Sequence, residues 1–249
     1  AVRATVQRLR QELAALLPDP ALVVLGEYAK DQFRSPRHPF KDEPFVLLRG
    51  PDEEEGLADG RAKKLFGASK ERRIVVFAAS GSGKTWLALR LLQRHAGLFF
   101  VCKDADAKDD KNAGSLDLRD MIVTLSSNLD KGGFAGDTGD VLDARREVAE
   151  FAAEFLVFSR KLVLDAWLAK FPGGRVTARA WLLLQLFPEH FCPRDIFRDV
   201  STQLLDEVWA AKARPLYDGH RAAARNAMKA ETPDRPNELF VEVCVVDES

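Results

Sequence analysis

One stretch of the chain, residues 74–85, limits the possible folds more than any other. It starts with an apolar, mostly β-branched run at 74–77 and continues through a glycine-containing loop that ends in GSGKT at 81–85. The run is typical of a strand that is buried in a parallel sheet. A helix is predicted after the loop, over 86–95, and a second apolar run follows at 98–101. Strand, loop, helix and strand in this order predict a βαβ unit.

The loop at 78–85 has the composition of a phosphate-binding (Walker A) loop. It matches the pattern G-x-x-x-x-G-K-[ST] except at its first position, where Ala78 replaces glycine. A small residue fits this bend as long as its φ stays negative. Glycines allow backbone N–H groups to turn toward an anion, and the N-terminus of the following helix adds its dipole. We therefore predict nucleotide binding by Ser80, Gly81, Ser82, Gly83, Lys84 and Thr85.

A second candidate catalytic feature is the acidic end of an apolar run near the C-terminus. Residues 243–246 are apolar, and Asp247 and Glu248 follow them directly, as in a Walker B element. A buried strand beside the phosphate-loop strand brings Asp247 to a Mg²⁺ ion and lets Glu248 polarise the attacking water. Lys84 is expected to contact the β- and γ-phosphates, and the Thr85 hydroxyl is expected to ligate the metal. The alternative is a strand that ends in a solvated acidic pair.

Most of the remaining chain is predicted to be helical. Apolar residues recur at three- or four-residue steps, and prolines or glycines separate the periodic segments. These patterns predict a long, largely apolar helix that begins at Asp140, and shorter helices over 2–17, 21–33, 115–131, 178–187, 195–211 and 216–229.

The predicted fold class is α/β, with the three-layer core and parallel sheet of a P-loop NTPase. We expect an N-terminal helical preface and linker over 1–44 and the NTPase core over 45–249. Within that core, 103–236 is expected to be a mainly helical insertion. Only Ser249 follows the acidic pair, so we also expect the core to be truncated at its C-terminus and to hydrolyse nucleotide slowly or not at all without an arginine finger.

Charge and cysteine content exclude several other classes of protein. With 37 basic and 38 acidic residues the net charge is -1, which gives no overall attraction to nucleic acid or to an anionic membrane. A basic segment at 61–73 could contact nucleic acid, but it also balances the acidic residues at 52–55. No apolar run reaches about 18 residues, the length that spans a bilayer. The three cysteines form no C-x-x-C pair, so a reducing, intracellular compartment (cytoplasm or nucleus) is predicted.

Several segments together resemble the P-loop NTPase region of Crinkler-type effector proteins of fungi and oomycetes, relatives of the retrotransposon-hot-spot proteins. They are the loop region at 73–85, GSLDL at 114–118, AWLLLQ at 180–185, DIF at 195–197 and VVDE at 245–248. The resemblance covers about residues 73–249. It implies an intracellular, Mg²⁺-dependent NTPase module that often accompanies a nuclease-like or kinase-like C-terminal domain, with this effector domain or a protein partner as the candidate partner. It also implies action inside a host cell, after secretion, or in conflict between organisms.

Mg²⁺-dependent ATP or GTP binding and hydrolysis is the function that these features favour. One alternative is a nucleotide-sensing interaction module that binds without significant turnover. Another is a small-molecule kinase, which shares the phosphate loop but needs an arginine lid that the sequence does not identify. Because no N-K-x-D guanine signature occurs, the choice between ATP and GTP stays open.

Overall fold

The computed structural model describes residues 2–20, 23, 89, 92, 97–100, 114–131, 139–171, 175–209 and 218–231. Seven helices lie within these ranges: α1 (Val2–Leu16), α2 (Asp117–Lys131), α3 (Gly139–Lys170), α4 (Arg175–Leu186), α5 (Pro188–Phe191), α6 (Ile196–Trp209) and α7 (Asp218–Glu231).

The 32-residue helix α3 is the centre of the assembly. Helices α1, α2 and α6 all pack against it, and α1 and α2 also contact α6. Because neighbours cover α3 on several sides, its apolar residues are buried around most of its circumference between Val148 and Trp167. The core continues into α4, where Trp181 lies 6.1 Å from Trp167 and 5.6 Å from Phe197 between ring centroids.

Side chains complete the hydrogen bonds that helix ends leave open. The Ser115 hydroxyl accepts a hydrogen bond from the Asp117 N–H at 3.1 Å at the start of α2. At the start of α6, Asp195 Oδ1 accepts from the N–H groups of Phe197 and Arg198, each at 3.1 Å. At the other end of a helix, the Lys170 ammonium donates to the carbonyl of Ala14, in the last turn of α1, and to that of Leu17, directly after the helix.

Helix α1 shares the apolar core of the later helices. Val6, Leu9 and Leu13 are buried in the same cluster as the core residues of α3 and α6. Arg10 donates to a carboxylate oxygen of Glu231 at 3.0 Å and to its carbonyl at 2.8 Å, which joins α1 to the end of α7. The predicted boundary between preface and core, at 44/45, lies outside the described residues.

The prediction of a three-layer α/β core with a parallel sheet is wrong. The described part of the chain is a helical assembly, and none of its residues belongs to a β-strand. Of the predicted strands, 74–77 and 243–246 lie outside the described ranges. Residues 98–100 of the third are buried, and Leu98 makes an isolated β-bridge rather than being part of a strand. Side chains of α3 and α4, described below, satisfy the backbone of Phe99. Among the described residues, side chains rather than a neighbouring strand thus bind the backbone of Phe99.

The predicted helices are confirmed where the structure describes them. The helices expected over 2–17, 115–131 and 178–187 correspond to α1, α2 and α4, with ends that differ by no more than three residues. The long apolar helix expected from Asp140 corresponds to α3. Helix α6 falls within the segment predicted over 195–211, and α7 overlaps the segment predicted over 216–229 but ends two residues later, at Glu231.

Candidate functional site

All predicted site residues lie outside the part of the chain that the structure describes. These are the loop residues Ser80, Gly81, Ser82, Gly83, Lys84 and Thr85 and the acidic pair Asp247 and Glu248. The structure does describe two residues of the segment that directly follows the loop, and it shows how that segment is attached to the helical assembly.

Leu89 and Leu92 belong to the helix predicted over 86–95. Both are helical and buried, and their spacing of three residues places them on the same side of a helix. They form a small apolar cluster with Phe99, Leu182 and Leu186. We call these five residues the loop-helix cluster. Through it, Leu89 and Leu92, which follow the predicted phosphate loop in the chain, pack against the second half of α4.

A buried arginine lies next to this cluster. Arg160, in the middle of α3, is only 1% exposed. Its Nε donates to Asp117 Oδ2 at 2.5 Å and its Nη2 donates to Asp117 Oδ1 at 2.7 Å, so the guanidinium and the carboxylate form two parallel bonds. This fork-to-fork geometry fixes both side chains in orientation as well as in distance.

The backbone of Gly97 and Phe99 is held by hydrogen bonds with two side chains, Arg160 and Gln185. Arg160 Nη1 donates to the Phe99 carbonyl at 2.9 Å. Gln185 Oε1 accepts from the Phe99 N–H at 2.8 Å, and Gln185 Nε2 donates to the Gly97 carbonyl at 3.1 Å. Trp181 Nε1 donates to the same carbonyl at 2.6 Å. We call Arg160, Asp117, Gln185 and the backbone of Gly97 and Phe99 the arginine junction.

Aromatic rings complete the surroundings of the guanidinium. Its central carbon lies 4.7 Å from the centroid of Phe100 and 4.4 Å from that of Phe197. Such contacts stabilise a cation most where water is excluded. Each guanidinium nitrogen has a hydrogen-bond partner. The arginine junction is therefore closed and satisfied: it can hold backbone in place, but it leaves Arg160 no access to a substrate.

Asp195 connects the start of α2 to the start of α6. Its Oδ2 accepts from the Leu116 N–H at 3.0 Å, while its Oδ1 caps α6. Burial raises the pKa of the Asp195 carboxyl, and the nearby Asp117 charge raises it further, although hydrogen bonds from Arg198, Leu116 and Ser115 oppose the shift. Neutralisation of this carboxyl is thus easier than at an exposed aspartate.

Three of the segments that carry the family resemblance meet at this place in the structure. Asp117 comes from 114–118, Gln185 from 180–185 and Phe197 from 195–197, and all three contact Arg160. The sequence reasoning missed Arg160 itself. A signal was present, because Arg160 stands within a stretch of α3 that is otherwise largely apolar, and a cation at such a position needs a buried partner.

Two other residues of types that bind metals differ in their surroundings, since Cys192 is buried and His190 is exposed. Burial, and to a smaller extent the Asp195 charge, raises the pKa of the Cys192 thiol to about 12. The His190 ring stacks on Phe187 with centroids 5.8 Å apart. In the described ranges, no three His, Cys, Asp or Glu side chains come together as a metal site. Nor does any helix in those ranges combine the length and the apolar character needed to cross a membrane.

No protein-family model, curated protein or solved structure matches this chain. The resemblance to Crinkler-type NTPase regions therefore stays a prediction from sequence.

Proposed function

We propose that this chain binds a nucleoside triphosphate together with Mg²⁺ at the loop 80–85 and hydrolyses it. One observation carries the proposal: the GSGKT loop directly precedes a segment whose Leu89 and Leu92 are helical and anchored in the loop-helix cluster. A glycine-containing loop at the start of a firmly held helix has the parts of an anion nest, namely free backbone N–H groups and the positive end of a helix dipole. This nest does not depend on the parallel sheet that the structure overturned.

Each predicted residue has a distinct part in the proposed reaction. Lys84 contributes a positive charge to the terminal phosphates, and Thr85 and Asp247 supply the oxygen ligands that Mg²⁺ prefers. A bound Mg²⁺ neutralises charge that builds up on the transferred phosphoryl group. Glu248 orients the attacking water and accepts its proton. Because the predicted parallel sheet is wrong, the roles of Asp247 and Glu248 no longer follow from adjacent strands. Substitution of Glu248 therefore tests the acidic pair separately from the loop.

The biological setting of the proposal comes from the resemblance alone. We propose an intracellular nucleotide-dependent module whose nucleotide state controls an attached effector domain or a protein partner. The even charge balance of the chain favours a protein over a nucleic acid as that partner.

The proposal is tested by isothermal titration of the wild-type chain with ATP, GTP and a non-hydrolysable analogue in Mg²⁺ buffer. The Lys84→Ala variant is expected to lose nucleotide binding while remaining folded, because it removes a charge-assisted contact to phosphate. The matched control is Lys229→Ala, which removes an exposed lysine from the last turn of α7. It is expected to bind like the wild type. A wild-type chain that binds no triphosphate, or a folded Lys84→Ala variant with unchanged affinity, would refute the site.

Phosphate release separates hydrolysis from its alternatives. Release in buffer without an acceptor supports an NTPase. Release only after addition of an acceptor would instead indicate a kinase, and tight binding without any release would indicate a nucleotide-dependent binding module.

A further inference from the structure

We propose that Gln185 and Arg160 are positioning residues for the nucleotide site: they fix Phe99, and Phe99 in turn packs with Leu89 and Leu92, which follow the predicted phosphate loop in the chain. This inference rests on the proposed nucleotide function.

Phe99 is the residue at which the two sets of contacts meet. Its N–H and carbonyl groups bond to Gln185 and Arg160, at 2.8 Å and 2.9 Å. Its ring belongs to the loop-helix cluster with Leu89 and Leu92. A shift of the Phe99 backbone therefore moves the surface against which Leu89 and Leu92 pack. The described contacts thus lead from the arginine junction through Phe99 to the cluster that contains Leu89, four residues after Thr85 in the chain.

The chemistry of the junction suits positioning better than it suits stabilisation. Removing an arginine and a carboxylate from water is costly, and a buried ion pair often adds little to the free energy of folding. What the pair does supply is geometry, since the guanidinium plane, the Asp117 carboxylate and the Phe99 carbonyl have to align at once. A packed apolar side chain at position 160 could fill the same volume, but it could not bind a backbone carbonyl in one orientation.

Positional accuracy matters because a phosphate nest works through backbone N–H groups. Their hydrogen bonds to phosphate oxygens weaken steeply when distance or angle changes. Displacement of the segment that follows the loop is therefore expected to lower nucleotide affinity. Gln185 is the better residue for a test. Substitution of Arg160 is less suitable, because it leaves the Asp117 charge buried without a partner and strongly destabilises the folded chain.

The decisive variant is Gln185→Met, which keeps the length and volume of the side chain but removes both hydrogen bonds to the backbone of Gly97 and Phe99. We expect ATP affinity to fall by about ten- to a hundredfold, by analogy with the loss when residues that orient the ligands of a bound metal are replaced. The matched control is Leu13→Ala, a buried position on α1 that belongs to the main core and not to the loop-helix cluster. It lowers the melting temperature without touching the junction, and its ATP affinity is expected to match that of the wild type.

A conservative variant at the same position tests whether the hydrogen bonds of Gln185 are what ATP affinity depends on. Gln185→Glu keeps the acceptor for the Phe99 N–H. Because Asp117 already neutralises Arg160, the added carboxyl favours its protonated form, whose O–H replaces the amide as donor to Gly97. We expect this variant to recover most of the affinity that Gln185→Met loses.

All variants are titrated with ATP and Mg²⁺ at a temperature at which circular dichroism shows them folded. The inference is overturned if Gln185→Met binds ATP as tightly as the wild type. It is equally overturned if Leu13→Ala, at the same loss of melting temperature, loses as much affinity. If the wild-type chain does not bind ATP, both the proposed function and this inference are refuted. If the wild type binds ATP and Gln185→Met binds it equally well, only this inference is refuted.

Discussion

Replacing Arg160 with methionine is the substitution that probes the buried core most directly. Methionine fills much of the same volume, so the change removes charge and hydrogen bonds rather than packing. It leaves the Asp117 carboxylate, whose side chain is fully buried, without its partner, and it also leaves the Phe99 carbonyl without the guanidinium donor. Breaking a buried ion pair from one side costs about 3–5 kcal/mol. At about 2–4 °C per kcal/mol for a chain of this size, the melting temperature is expected to fall by roughly 6–20 °C.

The same helix offers a matched control. Arg146 also pairs with a carboxylate, Glu150, at 3.0 Å, but its side chain is 77% exposed. Exposed pairs of this spacing contribute about 0.3–0.5 kcal/mol, so Arg146→Met is expected to change stability only slightly. The contrast between the two variants isolates burial as the cause of the loss.

Urea unfolding followed by circular dichroism measures the free energy of unfolding for both variants, and a double-mutant cycle adds Asp117→Asn. Asparagine keeps an acceptor at position 117 but carries no charge, so the double variant buries no unpaired ion. Its loss of stability is therefore expected to be smaller than the sum of the two single losses by at least about 1 kcal/mol. An Arg160→Met variant that loses less than about 1 kcal/mol, or a cycle that is additive, would refute a buried and coupled pair.

Three further predictions concern other titratable groups. Glu248→Gln is expected to retain ATP binding but to lower phosphate release by about 10²–10⁴-fold, because an amide cannot accept a proton; release at the wild-type rate would mark the acidic pair as a solvated chain segment. The pKa of Asp195 is raised in the folded state, so its contribution to stability is full below the unfolded value of 3.8 and is lost as the pH rises through the folded pKa. Relative to Asp195→Asn, the wild type is therefore expected to be more stable near pH 3 than near pH 7 by urea unfolding, and the opposite trend contradicts the shift. With a pKa of about 12, the Cys192 thiol should resist iodoacetamide at pH 8 until the chain is unfolded, as peptide mass spectrometry can check; rapid labelling of the native protein contradicts its burial.

Local features of the sequence were sufficient to predict the helices. The periodic apolar residues of α1, among them Leu9 and Leu13, and the proline that follows at position 18 lie within one short segment, and they need no distant partner to indicate a helix and its end. Ser115 before α2 is a signal of the same kind. The phosphate loop, too, is predicted from residues that are adjacent in the chain, and it stays a prediction because it lies outside the described residues.

The tertiary structure decided what lies between the helices. Arg160 bonds to Asp117 across 43 positions of the chain and to Phe99 across 61, and no local pattern at any of the three residues indicates the other two. For the same reason the apolar run at 98–101 suggested a strand: burial and β-branched or aromatic residues are common to sheet strands and to extended segments between helices. The choice between them depends on what satisfies the backbone groups. Here Gln185 and Arg160 do so for Phe99, and side chains from distant helices can be recognised as its partners only after the chain has folded.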